Sequence, residues 1–199
     1  MYALVEDGSI SKLITNPKAM VIGDVRYPAK IFQLWSQSEK ESIGIYEIVV
    51  DKTNYKDPEY YNNTDSSYSF ADGQVTESWG TATAKELEDR NATDKDGVEL
   101  DPIVVIDGLK TDKKRIIKQQ ASGLLEKTDW HNHKALDDET YTIPDNIKTY
   151  RANVRAKSNE MESQIDACTN VDELKALYEY TRQEDGTHTR PLAEFPKEI

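Results

Sequence analysis

A single cysteine, Cys168, stands in a chain of 199 residues, which excludes an intramolecular disulfide and a cysteine-based zinc cluster. Positive charge is short as well: Lys+Arg 25 against Asp+Glu 37 leave a formal net charge of −12. A surface that tracks phosphates needs clustered cations, so this balance argues against nucleic-acid and anionic-membrane partners. Apolar residues amount to 37% and mean hydropathy is −0.76, below the roughly 45–50% apolar usage of an ordinary globular domain. Small modules with exposed connections are the expectation. Nine glycines and seven prolines are too few for a fibrous or low-complexity chain. No apolar run approaches the ~20 residues of a membrane span. Acids stand in the first ten residues where a signal peptide carries bases, so a soluble protein made in the cytoplasm is expected.

The periodicities that are present divide the chain. Tyr2 to Val5 and Ile10 to Ile14 flank Glu6-Asp7-Gly8-Ser9, which reads as a hairpin with Gly8 at positive φ. Ala19 to Ile22 and Asp24 to Tyr27 flank Gly23. After Pro28 the period changes, placing Ile31, Leu34 and Trp35 on one face of a short helix. A second short helix from Ser38 ends at Gly44, and Ile45 to Val50 is a strand by its β-branched and aromatic content. Asp72-Gly73 between Ser66 to Ala71 and Gln74 to Trp79 predicts another hairpin, with Tyr68, Phe70, Val75 and Trp79 on its apolar side.

The remainder reads as a linker over 82–101, a helical region over 102–180 and an extended tail over 181–199. Thr111-Asp112 caps a helix bearing Ile116, Ile117, Leu124 and Leu125, and a loop with Trp130, His131 and His133 follows. Pro144 opens a longer helix whose Ile147, Tyr150, Val154, Met161, Ile165 and Cys168 form a heptad-like seam. Asn170 with Glu173 caps a third helix, Val171 to Tyr180. The fold class is therefore α+β: a β-rich module over 1–81 and a helical hairpin plus a third helix.

Catalytic and metal chemistry find little support. His131 and His133 can share a divalent ion with Asp137 or Glu139 if they alternate on a strand, but a solvated acidic loop is the favoured reading because no third ligand is fixed. Asp94-Lys95-Asp96-Gly97 resembles the middle of a calcium loop, yet Ala92 and Ile103 occupy its first and last ligand positions. No Gly-x-Ser-x-Gly, Walker or dinucleotide glycine pattern occurs. Cys168 lies on the apolar seam, where a buried thiol is expected. Thirty-seven acids make carboxylate pairs uninformative, so no enzyme and no cofactor is expected. The aromatics say more. Eleven tyrosines against three phenylalanines, with Tyr55, Tyr60, Tyr61 and Tyr68 in polar company, read either as contacts between chains or as edges of short strands.

Leu124-Leu125-Glu126-Lys127-Thr128-Asp129-Trp130, followed by Tyr150-Arg151-Ala152-Asn153-Val154-Arg155, resembles the tail assembly chaperone-like domain of tailed bacteriophages, although Ile147 stands where that family usually places a Trp. Tyr2 to Val5, Tyr27 to Phe32 and Ile43 to Tyr46 also resemble small virion-associated proteins of marine phages. The resemblance implies a non-enzymatic adaptor of the tail or tail-fibre region, assembled in the host cytoplasm and carried in the virion within a multi-chain assembly. The alternative it leaves is a soluble assembly chaperone absent from the finished particle. Partner contacts are then expected at Trp130, Tyr150, Arg151, Arg155, Tyr68 and Trp79. Packed on Tyr150 and Val154, the Trp130 ring closes the helical hairpin, and Trp130→Ala costs ~3–5 kcal/mol in that case.

Overall fold

A computed structural model describes all 199 residues as two compact units, 1–83 and 84–199, of an α+β protein. In the first unit β1 (Tyr2–Glu6) and β2 (Ser9–Ile14) form the expected hairpin. Its turn places Asp7 and Gly8 at φ 50° and 74°, the double positive-φ turn that matches strand twist. β3 (Met20–Ile22) pairs β4 (Val25–Tyr27), then α1 (Ile31–Leu34) and α2 (Gln37–Glu41) lead into β5 (Ile45–Asp51). The two-residue β6 (Tyr61–Asn62) precedes a second hairpin, β7 (Ser66–Ala71) and β8 (Gln74–Trp79), turned by Asp72-Gly73 at φ 52° and 74°. β9 (Thr83–Ala84) falls at the boundary between the units.

The five long strands make one sheet in the order β2-β1-β5-β8-β7, antiparallel except for the parallel pair β5 and β8. The sheet curls until β2 and β7 approach each other. Its inner face buries Ala3, Val5, Ile48 and Val75 under Ile10, Tyr46, Tyr68 and Phe70. The outer face of β1 and β5 offers Leu4 and Ile45, which Ile14, Ile31 and Phe32 cover. A bulge shifts the β1 to β2 register between Leu4 and Val5, leaving Ser11 as the extra residue with its hydroxyl on the Leu4 carbonyl. Without it Ile10 and Ile14 share one face; with it they serve opposite cores. Leu34 departs from expectation. It is 74% exposed, because α1 stops after four residues and only Ile31 and Phe32 turn inward.

In the second unit β10 (Arg90–Asn91) pairs β11 (Val105–Ile106), so residues read from the sequence as a linker and as the start of the helical region form the base of an arm. Four helices follow: α3 (Leu109–Glu126), α4 (Asp129–Asp137), α5 (Asp145–Ala167) and α6 (Val171–Ala176). α3 begins before the expected Thr111-Asp112 cap. Its N-terminal amides are met by the segment before the arm: Gly108 N–H donates to the Asp89 carboxylate at 2.8 Å, Leu109 N–H to the Glu86 carbonyl at 3.0 Å and Lys110 N–H to the Leu87 carbonyl at 3.1 Å. The α5 seam buries Ile147, Tyr150, Val154, Met161 and Ile165, with Ser158 filling the gap in the repeat. The Asn170 side chain caps α6 through Glu173 N–H, as its spacing predicts.

The tail also departs from the expected extended segment. β12 (Thr181–Arg182) and β13 (His188–Thr189) form a small hairpin around Asp185-Gly186, and the chain then docks. Leu192 is buried, Gln164 holds the Pro191 carbonyl and the Ala193 amide, and Phe195 packs beside Ala121, Tyr150 and Val154. No helix of the chain is long and apolar enough to cross a membrane.

Candidate interaction surfaces

The two halves of the quoted signature meet at Arg151. α3 ends with unsatisfied carbonyls and α4 starts after only two intervening residues, so a cation between them finds acceptors from both helix ends. The Arg151 side chain is 9% exposed. One guanidinium nitrogen donates to the Leu125 carbonyl at 2.8 Å and to Thr128 Oγ1 at 2.7 Å, and the other meets Asp129 Oδ1 at 2.7 Å. Thr128 in turn donates to the Leu125 carbonyl at 2.9 Å. Leu125, Thr128 and Asp129 are thus joined to α5 by one planar group, a fork that lysine cannot reproduce.

The node and its surroundings take up two of the residues named as candidate partner contacts. Arg151 is consumed internally, and Tyr150 lies buried in a cluster with Ala121 and Val154. Arg155 is exposed one turn along, its guanidinium near the Arg151 carbonyl. Trp130 is placed differently from expectation. Residues 129–137 are helical, not a loop, which turns His131 inward and leaves Trp130 54% exposed, stacked on His131 at 3.7 Å. His131 Nδ1 shares a hydrogen bond with the Tyr141 hydroxyl, and Lys134 lies 4.4 Å over the Tyr141 ring. Trp130→Ala should therefore lower unfolding stability by less than ~1 kcal/mol, as for most surface substitutions. Arg151→Lys should cost ~1–3 kcal/mol, because it strands the Thr128 and Leu125 acceptors. Urea unfolding of the two variants side by side checks the order, and the reverse order contradicts the placement of both residues.

In the first unit Tyr68 is half-buried against the inner core, on the apolar side of the hairpin as expected, and donates to Glu77 Oε1 at 2.8 Å. Trp79 is half-buried at the end of β8 with Tyr55 edge-on at 5.2 Å.

The histidines do not alternate on a strand. Two positions apart on α4, they diverge by about 200° around the axis, and no group of three or more His, Cys, Asp or Glu side chains is arranged to hold a metal ion. Asp138 accepts from the Thr140 hydroxyl at 2.6 Å and its amide at 3.0 Å, which holds its carboxyl below the usual range and makes it a turn residue, while Asp137 and Glu139 face solvent. Burial pushes the Cys168 thiol up, away from the thiolate form a nucleophile needs.

The surface that sequence reasoning missed is the arm. Between its base and tip Thr93 bridges Glu99, the Ala92 amide donates to the Val104 carbonyl, and the Leu100 amide donates to the Ala92 carbonyl. The returning side of the arm, which ends in β11, carries Val98, Leu100, Ile103, Val104, Val105 and Ile106, all exposed, with Val98 at 62% and Ile103 at 64%. The signal was available: Ile103-Val104-Val105-Ile106 is a four-residue apolar run.

The arm's root is electrostatically fastened. The Gly108 amide, then the Thr111 hydroxyl, hold the Asp89 carboxyl below its ordinary range, and Lys114 adds a weaker pull against desolvation. A depressed carboxylate contributes stability that is present above its unfolded pKa and fades as pH falls through the folded one. Unfolding of the second unit should therefore become easier below about pH 4. In Asp89→Asn that acid-side slope should flatten, which melting curves across pH 5 to about 2.5 would check.

Comparison with models of protein families, with curated proteins and with solved structures found no match.

Proposed function

We propose that the chain is a non-enzymatic structural adaptor of a tailed bacteriophage, seated in the tail or tail-fibre attachment region. The observation that carries the reading is the junction at Arg151. Residues that resemble the tail assembly chaperone-like signature, some 20 positions apart in sequence, form a single hydrogen-bonded unit, with Arg151 on Leu125, Thr128 and Asp129. Such a junction fixes the angle between helices and needs no substrate. Its outward product is Trp130, a large ring held in one orientation by stacking on His131. Rigid aromatics of this kind make inexpensive contacts in entropic terms, because little freedom is left to lose on docking.

Mass spectrometry of purified particles tests the assignment. Stoichiometric presence of the chain alongside tail proteins is expected. Its absence from particles with abundance in the lysate rejects the adaptor and leaves the assembly chaperone.

A further inference from the structure

We infer that the arm over residues 90–106 is a docking edge for an extended segment of a second protein, one in which β-branched residues alternate with lysine or arginine. The inference rests on the adaptor reading and adds the chemistry of the partner. An isolated two-stranded ribbon is marginal in water, and both strands of this one have an open side. Its root is nonetheless fixed, since Asp89 and the carbonyls of Glu86 and Leu87 bind the first turn of α3. A fixed root that presents an exposed apolar run ending in the open edge of β11 is an arrangement that strand addition can use, with main-chain pairing for affinity and alternate side chains for selectivity.

Charge selects the occupant. Between positions 90 and 107 the chain carries Asp94, Asp96, Glu99, Asp101 and Asp107 against Arg90 and Lys95. Val98-Glu99-Leu100-Asp101 alternates apolar with acidic, so a strand laid along it meets apolar and anionic positions in turn. Valine or isoleucine opposite the apolar positions and a cation opposite the acids satisfies both. A second copy of this chain does not. It would set the same acids against each other in a molecule of net charge −12.

The test uses the full chain and a labelled, end-blocked peptide of alternating lysine and valine, with a glutamate and valine peptide as its counterpart, both read by fluorescence anisotropy. Binding of the lysine peptide is expected to slow amide exchange over residues 103–106. The triple variant Ile103→Ser, Val104→Ser, Val105→Ser keeps every charge and should weaken binding at least ~10-fold. Glu99→Gln with Asp101→Asn should weaken it and reduce its salt dependence, whereas Glu6→Gln with Asp24→Asn, which removes the same charge from the first unit, should leave it unchanged. Circular dichroism and the melting curve establish that each variant is folded. Equal binding by the triple variant, equal binding of the glutamate peptide, or equal loss from the Glu6 and Asp24 pair overturns the inference, as does a sedimentation shift to dimer that the serine variant abolishes. Peptide failure with the chain present in particles sinks the arm alone; absence from particles with intact peptide binding sinks the adaptor alone.

Discussion

Gly44→Ala is expected to destabilise the N-terminal unit by ~2–5 kcal/mol. Two costs add at this position. Gly44 sits at φ +81° after α2, where its amide reaches the Glu41 carbonyl at 2.9 Å, and a side chain in that region costs roughly 1–2 kcal/mol. The second cost is steric. A methyl group at Gly44 would stand 2.5 Å from the Val5 carbonyl oxygen, a backbone atom held within β1. Moving it breaks the 2.8 Å bond from Val5 N–H to the Gly44 carbonyl and disturbs the bulged strand that feeds both cores, adding a further ~1–3 kcal/mol. Against a total of ~5–15 kcal/mol for a typical domain, that shift is visible in any denaturant titration. A melting temperature for Gly44→Ala within a degree or two of the parent would show that β1 does not lie where it is placed. Gly8→Ala, whose added carbon meets nothing within 4 Å, is the control that isolates the φ cost from the clash.

Gly108→Ala should be comparably harmful to the second unit for a different reason. Its φ of −85° suits any residue, so no conformational penalty applies. The obstacle is the approach of the arm's root: a methyl there runs into the Glu88 carbonyl and lies 2.7 Å from the Leu87 oxygen. Relief requires segment 86–89 to retreat from α3. Retreat gives up the bonds of Gly108 to Asp89, Leu109 to Glu86 and Lys110 to Leu87 together, worth ~1 kcal/mol each. The expected loss is ~3 kcal/mol, with faster amide exchange over 86–92 and the first turn of α3. The acid-side stability slope attributed to Asp89 should flatten in the same variant, since the Gly108 amide is the leading cause of that depressed carboxyl. An unchanged slope would mean that the root is held by something other than these contacts.

Legibility followed the range of the interactions. Both Asp-Gly hairpins, the heptad-like seam of α5 and the Asn170 cap depend on neighbours within a turn or a strand pair, and each stands where its spacing puts it. Two segments were misread because their determinants are remote. Thr111 and Asp112 look like a cap, but Asp89, nineteen residues before Gly108, does the capping and draws α3 back to Leu109. The tail lacks any period, yet it is held by Gln164 and by a buried place for Leu192. Trp130 was misplaced for a subtler reason. The chain Asp129-Trp130-His131 contains two amphipathic rings, and which one turns inward depends on whether α4 continues through them. Weak helix formers such as His131, Asn132 and His133 gave no strong indication that it does.

By itself the order of residues determined that this protein is acidic, α+β, held without disulfides and built from hairpins and a long amphipathic helix, because charge, turn chemistry and periodicity act locally. Tertiary structure alone decided that Ile10 and Ile14 serve different cores, that Arg151 is spent inside the helical unit, and that the run from Val98 to Ile106 stays uncovered. Those outcomes rest on a one-residue bulge, on helix ends that converge from distant positions, and on an arm that the helices of its own unit do not cover, and none of the three leaves a periodic trace in the sequence.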